Sequence, residues 1–435
     1  MKKIVSYILP LLLTACGGGF EAANKQFTEN FNVGAYESAA KFMSDATVAA
    51  EEPNNIYLGG LQCGTGFLWA DASKEREMCF AATDSVLVGD VEEDSGYEIK
   101  DYEKIMFKTY AAMGYMADGS EYATQMFRQA YEMQTENVQQ NSKEIEELEA
   151  EFAEKSASVP GLPDLDTIVQ AVDVEMSQIP DSVVAMKDYV NPYTTYLNAL
   201  FDGVNGDKAN AENYLSRVKQ FAPDNGFVKT DAKAIASKKP HVWIFFENGV
   251  VGEIKKRSLA PEILRAFNIQ LTIPDVWAGV PAAPTLFVGT TNTETQTEFL
   301  ANMDSVVKTD LEKYKTRNIV SSVVFELGKV AAATAAGVGA YAMSNKNQGT
   351  SDLWALGGTL AVVAIMSVEK PWDLRSWTSL PNEVQVARVE MPKDRKIVIN
   401  QNYEVVIPDD IKNAAVFVRI PTVNAVPSIV VGKLN

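Results

Sequence analysis

The sequence predicts an α+β protein: helical-hairpin repeats in the first half, then a small β-rich domain carrying an inserted apolar helical hairpin. Three observations predict it. Helical periodicity dominates 20–225, with one turn pattern that recurs. The chemistry of the chain changes near Pro240, where short apolar runs separated by turn residues replace that periodicity. Within the second half lie two Ala- and Gly-rich apolar stretches, 330–343 and 353–367. With 435 residues there is room for two or three domains, and 46% apolar against 22% charged residues suffices for a packed core.

In the helical half, a helix ends, a short turn with Gly or Asp follows, and a second helix carries an aromatic or Leu about eight residues on. The turn and partner pairs are Gly34 with Phe42, Asp71 with Phe80, Gly119 with Phe127, and Gly206 with Leu215. Ala39, Ala123 and Ala211 sit between, where two helices approach closely. This resembles the tetratricopeptide repeat, a helix-turn-helix of about 34 residues ending near a proline. The first unit lacks that proline, and the spacing is irregular. Each hairpin cannot bury its apolar face alone, so neighbours stack into a solenoid whose concave surface holds a partner; an unrelated helical bundle is the alternative. Between the third and fourth units, Ile145, Leu148 and Phe152 make one narrow apolar seam on a strongly charged helix. That seam reads as a packed helix with a solvated face, or as an oligomer contact.

The N-terminus opens with Lys2 and Lys3 and a short apolar run, too short to span a bilayer, which needs about 20 residues. It reads as a secretory signal over 1–15. The ending Leu13-Thr14-Ala15-Cys16 resembles the lipobox of bacterial lipoproteins. That resemblance implies cleavage before Cys16, acylation of its sulfur and amine with palmitate-type chains, and a tether over 16–19. Several acyl chains together anchor stably where one does not. Gly17 in place of Asp implies the outer membrane, facing the periplasm. The repeats then occupy 20–235 and the β-rich domain 236–435, with its helical insertion at about 293–368.

The formal charge of −18 repels phosphate backbones and anionic headgroups, so nucleic-acid binding is excluded as a function class and anchoring falls to the lipid. Cys63 and Cys79 remain besides Cys16. Helices are predicted over 56–70 and 73–85 with a turn near Asp71, so an antiparallel hairpin sets the two cysteines side by side. In an oxidising compartment they pair as a disulfide stabilising by roughly 3 kcal/mol; two buried free thiols are the alternative.

In the second half, 242–246 and 250–254 flank Glu247-Asn248-Gly249, and Asn-Gly between apolar runs predicts a β-hairpin. Further strands are expected over 269–273 and 284–288, then helix over 293–367. The two apolar stretches are each about 15 residues, shorter than a membrane span. With Ala332, Ala336 and Ala340 permitting close contact, they form either a buried hairpin or one that enters a bilayer. Strands over 383–390, 396–400, 403–407, 414–420 and 428–433 complete a small sandwich, which the strands near 242–288 share.

Four segments, Tyr102-Glu103-Lys104, Phe246-Glu247-Asn248-Gly249, 373–381 (Asp373-Leu374-Arg375-Ser376-Trp377-Thr378-Ser379-Leu380-Pro381) and Gln385-Val386-Ala387-Arg388, together resemble a family of bacterial lipoproteins with tetratricopeptide-like N-terminal halves. Its members are often encoded beside small lipoproteins similar to activators of penicillin-binding proteins. The resemblance implies work at the cell envelope and brings no catalytic residues with it. Arg375, Ser376 and Trp377 read either as a structural corner locking helix to sheet or as a partner contact, since Arg375 offers five donors and Trp372 or Trp377 can cover its plane.

Enzymatic signals are sparse. His241 is the only histidine, which leaves no multi-histidine zinc site and no second imidazole. Neither a nucleophile elbow nor a phosphate loop occurs. The run Asp90-Val91-Glu92-Glu93-Asp94 lacks calcium-loop spacing. No catalytic residue, metal or cofactor is expected. The expectation is a non-enzymatic envelope lipoprotein that docks a protein partner on the concave face of its repeats. An enzyme acting on peptidoglycan or another glycan through paired carboxylates, and a structural subunit inserting 330–367 into the membrane, are the alternatives.

Overall fold

A computed structural model describes residues 18–50, 53–88, 99–134, 138–157, 159–178, 183–186, 190–237, 239–344, 370 and 372–435. The chain is α+β, with helices up to Ala236 and a β-rich remainder. The helices are α1 (Gly18–Asn32), α2 (Tyr36–Val48), α3 (Pro53–Trp69), α4 (Ser73–Val88), α5 (Asp101–Ala117), α6 (Tyr122–Glu132), α7 (Val138–Ser156), α8 (Leu165–Gln178), α9 (Pro192–Val204), α10 (Lys208–Phe221) and α11 (Gly226–Ala236). Cys16 and the acidic run 90–94 lie outside the described residues.

One backbone device joins α1 to α2, α3 to α4, α5 to α6 and α9 to α10. Gly34, Asp71, Gly119 and Gly206 all take positive φ. In each case the next amide closes back across the helix end: Ala35 N–H donates to Asn30 O (3.0 Å), Ala72 to Phe67 (2.9 Å), Ser120 to Tyr115 (2.8 Å) and Asp207 to Asp202 (2.9 Å). This is the Schellman ending, which needs a left-handed residue and so selects Gly, or Asp at some cost. The recurrence read in the sequence is therefore a recurrence of helix endings. Of the partner residues, Phe80, Phe127 and Leu215 are buried with Ala39, Ala123 and Ala211. Phe42 is not: it is 39% exposed, and Met43 is buried in its place. One residue along a helix is a rotation of about 100°, enough to exchange inside for outside.

The strands are β1 (His241–Asn248), β2 (Glu253–Leu259), β3 (Leu271–Trp277), β4 (Phe287–Gly289), β5 (Glu294–Gln296), β6 (Glu298–Asn302), β7 (Glu383–Glu390), β8 (Lys396–Ile399), β9 (Tyr403–Val406), β10 (Ala414–Ile420) and β11 (Ser428–Lys433). Helix α12 (Glu262–Arg265) lies between β2 and β3, and α13 (Met303–Lys313) and α14 (Lys315–Ser344) between β6 and β7. A five-stranded sheet runs β11-β10-β1-β7-β6, a four-stranded sheet β5-β4-β8-β9, and β2 pairs with β3 alone. One face of the five-stranded sheet, through Trp243, Phe245, Val386 and Phe417, shares a core with the helices. Its other face, through Ile244, Phe246, Val389 and Val418, packs on Val288, Ile397 and Ile399 of the second sheet. The layers are thus helix, sheet, sheet.

Three expectations are corrected. Asn248-Gly249 closes no hairpin, for β1 lies between β10, to which it is parallel, and β7, to which it is antiparallel. Gly249 does take positive φ (+71°), but its amide donates to Ile420 O and the chain leaves the sheet. Every residue of β1 is buried, and such an unbroken apolar run belongs to a central strand. Helix also does not begin at 293. Residues 294–296 and 298–302 form β5 and β6, because β5 pairs with β4 and β6 with β7, and Thr297 between them bonds Gln385. The helix starts at Met303 under an Asn302 cap. Likewise β1 and β4 join the sandwich, whereas β2 and β3 stand apart.

A third core gathers α7, α8, β3 and α14 around Phe152, Ile168, Leu271, Val320 and Val323. The α7 seam is therefore packed within the chain. Glu144 meets Arg317 near one end and Lys155 lies against Gly328 near the other, so α7 and α14 run parallel. Helix α14 continues past the end of α7 through 330–343 as unbroken helix to Ser344. The second apolar stretch, 353–367, lies outside the described residues. Among the described residues no helix is long and apolar enough to cross a membrane.

Candidate functional site

The segments 102–104, 246–249, 373–381 and 385–388 converge where the helices meet the sheet. Helices α5 and α9 are buried along nearly their whole length, because their inner faces press on the five-stranded sheet rather than on solvent. These inner faces share one core with the sheet.

Glu247, in β1, lies at the centre. Its carboxylate is fully buried and accepts the hydroxyl of Tyr110 from α5 (2.6 Å) and of Tyr193 from α9 (2.9 Å). Arg419 sits opposite it in register on parallel strand β10, 3.9 Å away and equally buried. Burial pushes the Glu247 carboxyl up; Arg419 and the two tyrosine bonds pull it back. Arg419 also donates to the carbonyls of Glu247 (3.0 Å), Gly249 and Ser379 (3.1 Å), and stands over the Phe31 ring. A second buried carboxylate, Asp231 of α11, accepts Tyr196, Arg388 and the Trp243 indole (3.2 Å). Burial raises its pKa too, against the pull of Arg388.

The segment after α14 threads the same junction. Arg375 forks onto Asp373 (2.9 and 2.8 Å) and reaches Asn55 in α3 (2.7 Å). Ser376 is buried, and the Arg375 carbonyl accepts Lys100 (2.8 Å). Trp377 is fully enclosed. Its amide donates to Glu103 of α5 (3.0 Å), its indole to Thr65 of α3 (3.1 Å) and Ser379 (2.8 Å), and its ring meets Tyr110 edge-on at 5.3 Å. These contacts join the returning segment to α3 and α5. Cys63 of α3 and Cys79 of α4 are joined as a disulfide with Cα atoms 5.9 Å apart. His241 opens β1 beside Trp243, and burial holds its pKa down.

Sequence reading did not single out Tyr110, Tyr193, Asp231 or Arg419. A signal for one pair existed. Glu247 and Arg419 are lone opposite charges in otherwise apolar strand runs, and such charges are buried only in company. Among the described residues no group of three or more His, Cys, Asp or Glu side chains converges to hold a metal. What the arrangement does chemically is bind helix layer to sheet. Comparison of the chain with family models, curated proteins and solved structures gives no match.

Proposed function

We propose that this chain is a lipid-anchored, non-enzymatic scaffold of the cell envelope. In this reading Cys16 carries the anchor at the outer membrane, and a drifted tetratricopeptide-like array on the periplasmic side docks a protein partner. The observation that carries it is the division of labour between the helices. Helices α3, α5 and α9 are spent on the chain's own sheet, whereas Phe42 of α2, Met78 of α4 and Tyr122 of α6 hold large apolar side chains in solvent. The reading assigns the contact to these exposed groups. The proposed docking face is therefore the outer one.

The test is recovery from crosslinked envelopes with the full chain. The reading expects one envelope protein at stoichiometric yield, lost in the Met78→Glu, Tyr122→Glu double variant, and release of the chain from membranes by Cys16→Ser. Recovery that ignores the double variant, or cleavage of glycan by the purified chain, overturns it.

A second reading has one observation in its favour: α14 runs unbroken into the uncharged stretch 330–343. Insertion of 330–367 into the membrane surface predicts that the Cys16→Ser chain still needs detergent to stay in solution.

A further inference from the structure

The hairpins α1–α2, α3–α4 and α5–α6 stand side by side with their turns at one end. All three turns meet the β10–β11 edge. Val426 N–H donates to Val33 O (3.4 Å), the Ser428 hydroxyl donates to the Trp69 carbonyl, and Lys433 lies beside Gly119. The opposite end holds the start of α1. There Phe20 of α1 and Thr47 of α2 lie against Gly59 of α3, and Thr83 of α4 lies against Gly60. Beyond these threonines α2 and α4 end on Val48 and Val88, which are 86% and 81% exposed. Helix α1 already begins at Gly18, so only Cys16 and Gly17 are left of the tether expected over 16–19.

We propose that this end of the molecule rests on a neutral bilayer surface, with Val48 and Val88 entering the headgroup layer. The inference rests on the anchor at Cys16 in the scaffold reading. Two residues reach at most about 7 Å, so a lipidated Cys16 brings the start of α1 to the headgroups. The side chains decide whether α1 stands or lies there. Its solvent side carries Glu21, Lys25 and Glu29, which lose hydration if the helix lies flat. The end carries valines, which gain by leaving water. A helix of 15 residues is about 22 Å long, so the β10–β11 loop stands clear of the membrane, although its Val423 and Val426 are 78% and 63% exposed. Charge sets the lipid class. In the sequence Glu51-Glu52 follow Val48, and Asp90-Val91-Glu92-Glu93-Asp94 follow Val88. Anionic headgroups are therefore repelled, whereas zwitterionic ones are not. An upright array also leaves Phe42 and Met78 on its sides, open to a protein partner.

Fluorescence quenching on the full lipidated chain tests it. A fluorophore is attached in turn at Val48→Cys, Val88→Cys and Val426→Cys. The chain is reconstituted in vesicles of phosphatidylethanolamine and phosphatidylcholine that hold a headgroup-nitroxide lipid. The labels at 48 and 88 are expected to lose intensity and the label at 426 to keep it. The loss shrinks when phosphatidylglycerol replaces part of the neutral lipid. Either near-end label stands in for the other should one variant fail to fold. Flotation of the same vesicles separates the inference from the anchor. A chain that does not float with the lipid overturns both. A chain that floats with 48 and 88 unquenched, with 426 quenched equally, or with a loss that grows on adding phosphatidylglycerol overturns the inference alone.

Discussion

Tyr110 donates its hydroxyl to Glu247 across 2.6 Å, tying the middle of α5 to the central strand of the sheet. Both groups are fully buried, so neither finds water if the other is lost. Tyr110→Phe should lower the unfolding free energy by about 1–3 kcal/mol, the cost of orphaning a buried acceptor. Glu247→Ala should cost more, about 3–5 kcal/mol, because Arg419 then stays buried without its counter-charge. Urea denaturation of the two variants checks the order, and a smaller loss in Glu247→Ala would show that Arg419 needs no partner.

Trp377 fastens the returning segment to α3 and α5 at once. Trp377→Ala should cost about 3–5 kcal/mol, as for other large buried side chains. Proteolysis should then cut first near 372–380, a position the parent chain protects.

The bond between Cys63 and Cys79 closes a short loop, with a sequence separation of 16. Reduction, or Cys79→Ser, should lower stability by roughly 3 kcal/mol. Unfolding with and without dithiothreitol measures it. Equal midpoints would mean that the α3–α4 hairpin holds without the crosslink.

Asp202 gives a prediction in pH. Burial pushes its carboxyl up to about 6, Asp207 adds to the shift, and Arg128 opposes it. The folded state therefore holds this proton more tightly than the unfolded chain, whose value is about 4. Its contribution to stability is fullest below the unfolded value and falls as pH rises from about 4 through about 6. Asp202→Asn should raise the melting temperature at pH 7 and leave it unchanged near pH 3.5. A rise of the same size at both values would place the effect elsewhere.

Much of this architecture was legible in the residues. The left-handed endings at Gly34, Asp71, Gly119 and Gly206 were visible because a Schellman turn restricts residue type. The tail strand β7 was legible for its alternation. What stayed hidden depended on partners distant in sequence. Asn248-Gly249 has hairpin chemistry, but β10, far along the chain, lies parallel to β1 and takes the edge that a hairpin would have used. Residues 294–302 are polar enough for a helix surface and became strands because β4 and β7 were there to pair. Tyr110 and Tyr193 carry no local signal of their role, and only the buried Glu247 between them gives their hydroxyls a purpose.

Site-specific photocrosslinking in intact cells tests the central claim most directly. A crosslinker placed in turn at Phe42, Met78 and Tyr122 of the full lipidated chain should give one common adduct with an envelope protein at two or more of these positions. The account is contradicted if all three remain without a protein adduct while the chain is folded and membrane-bound.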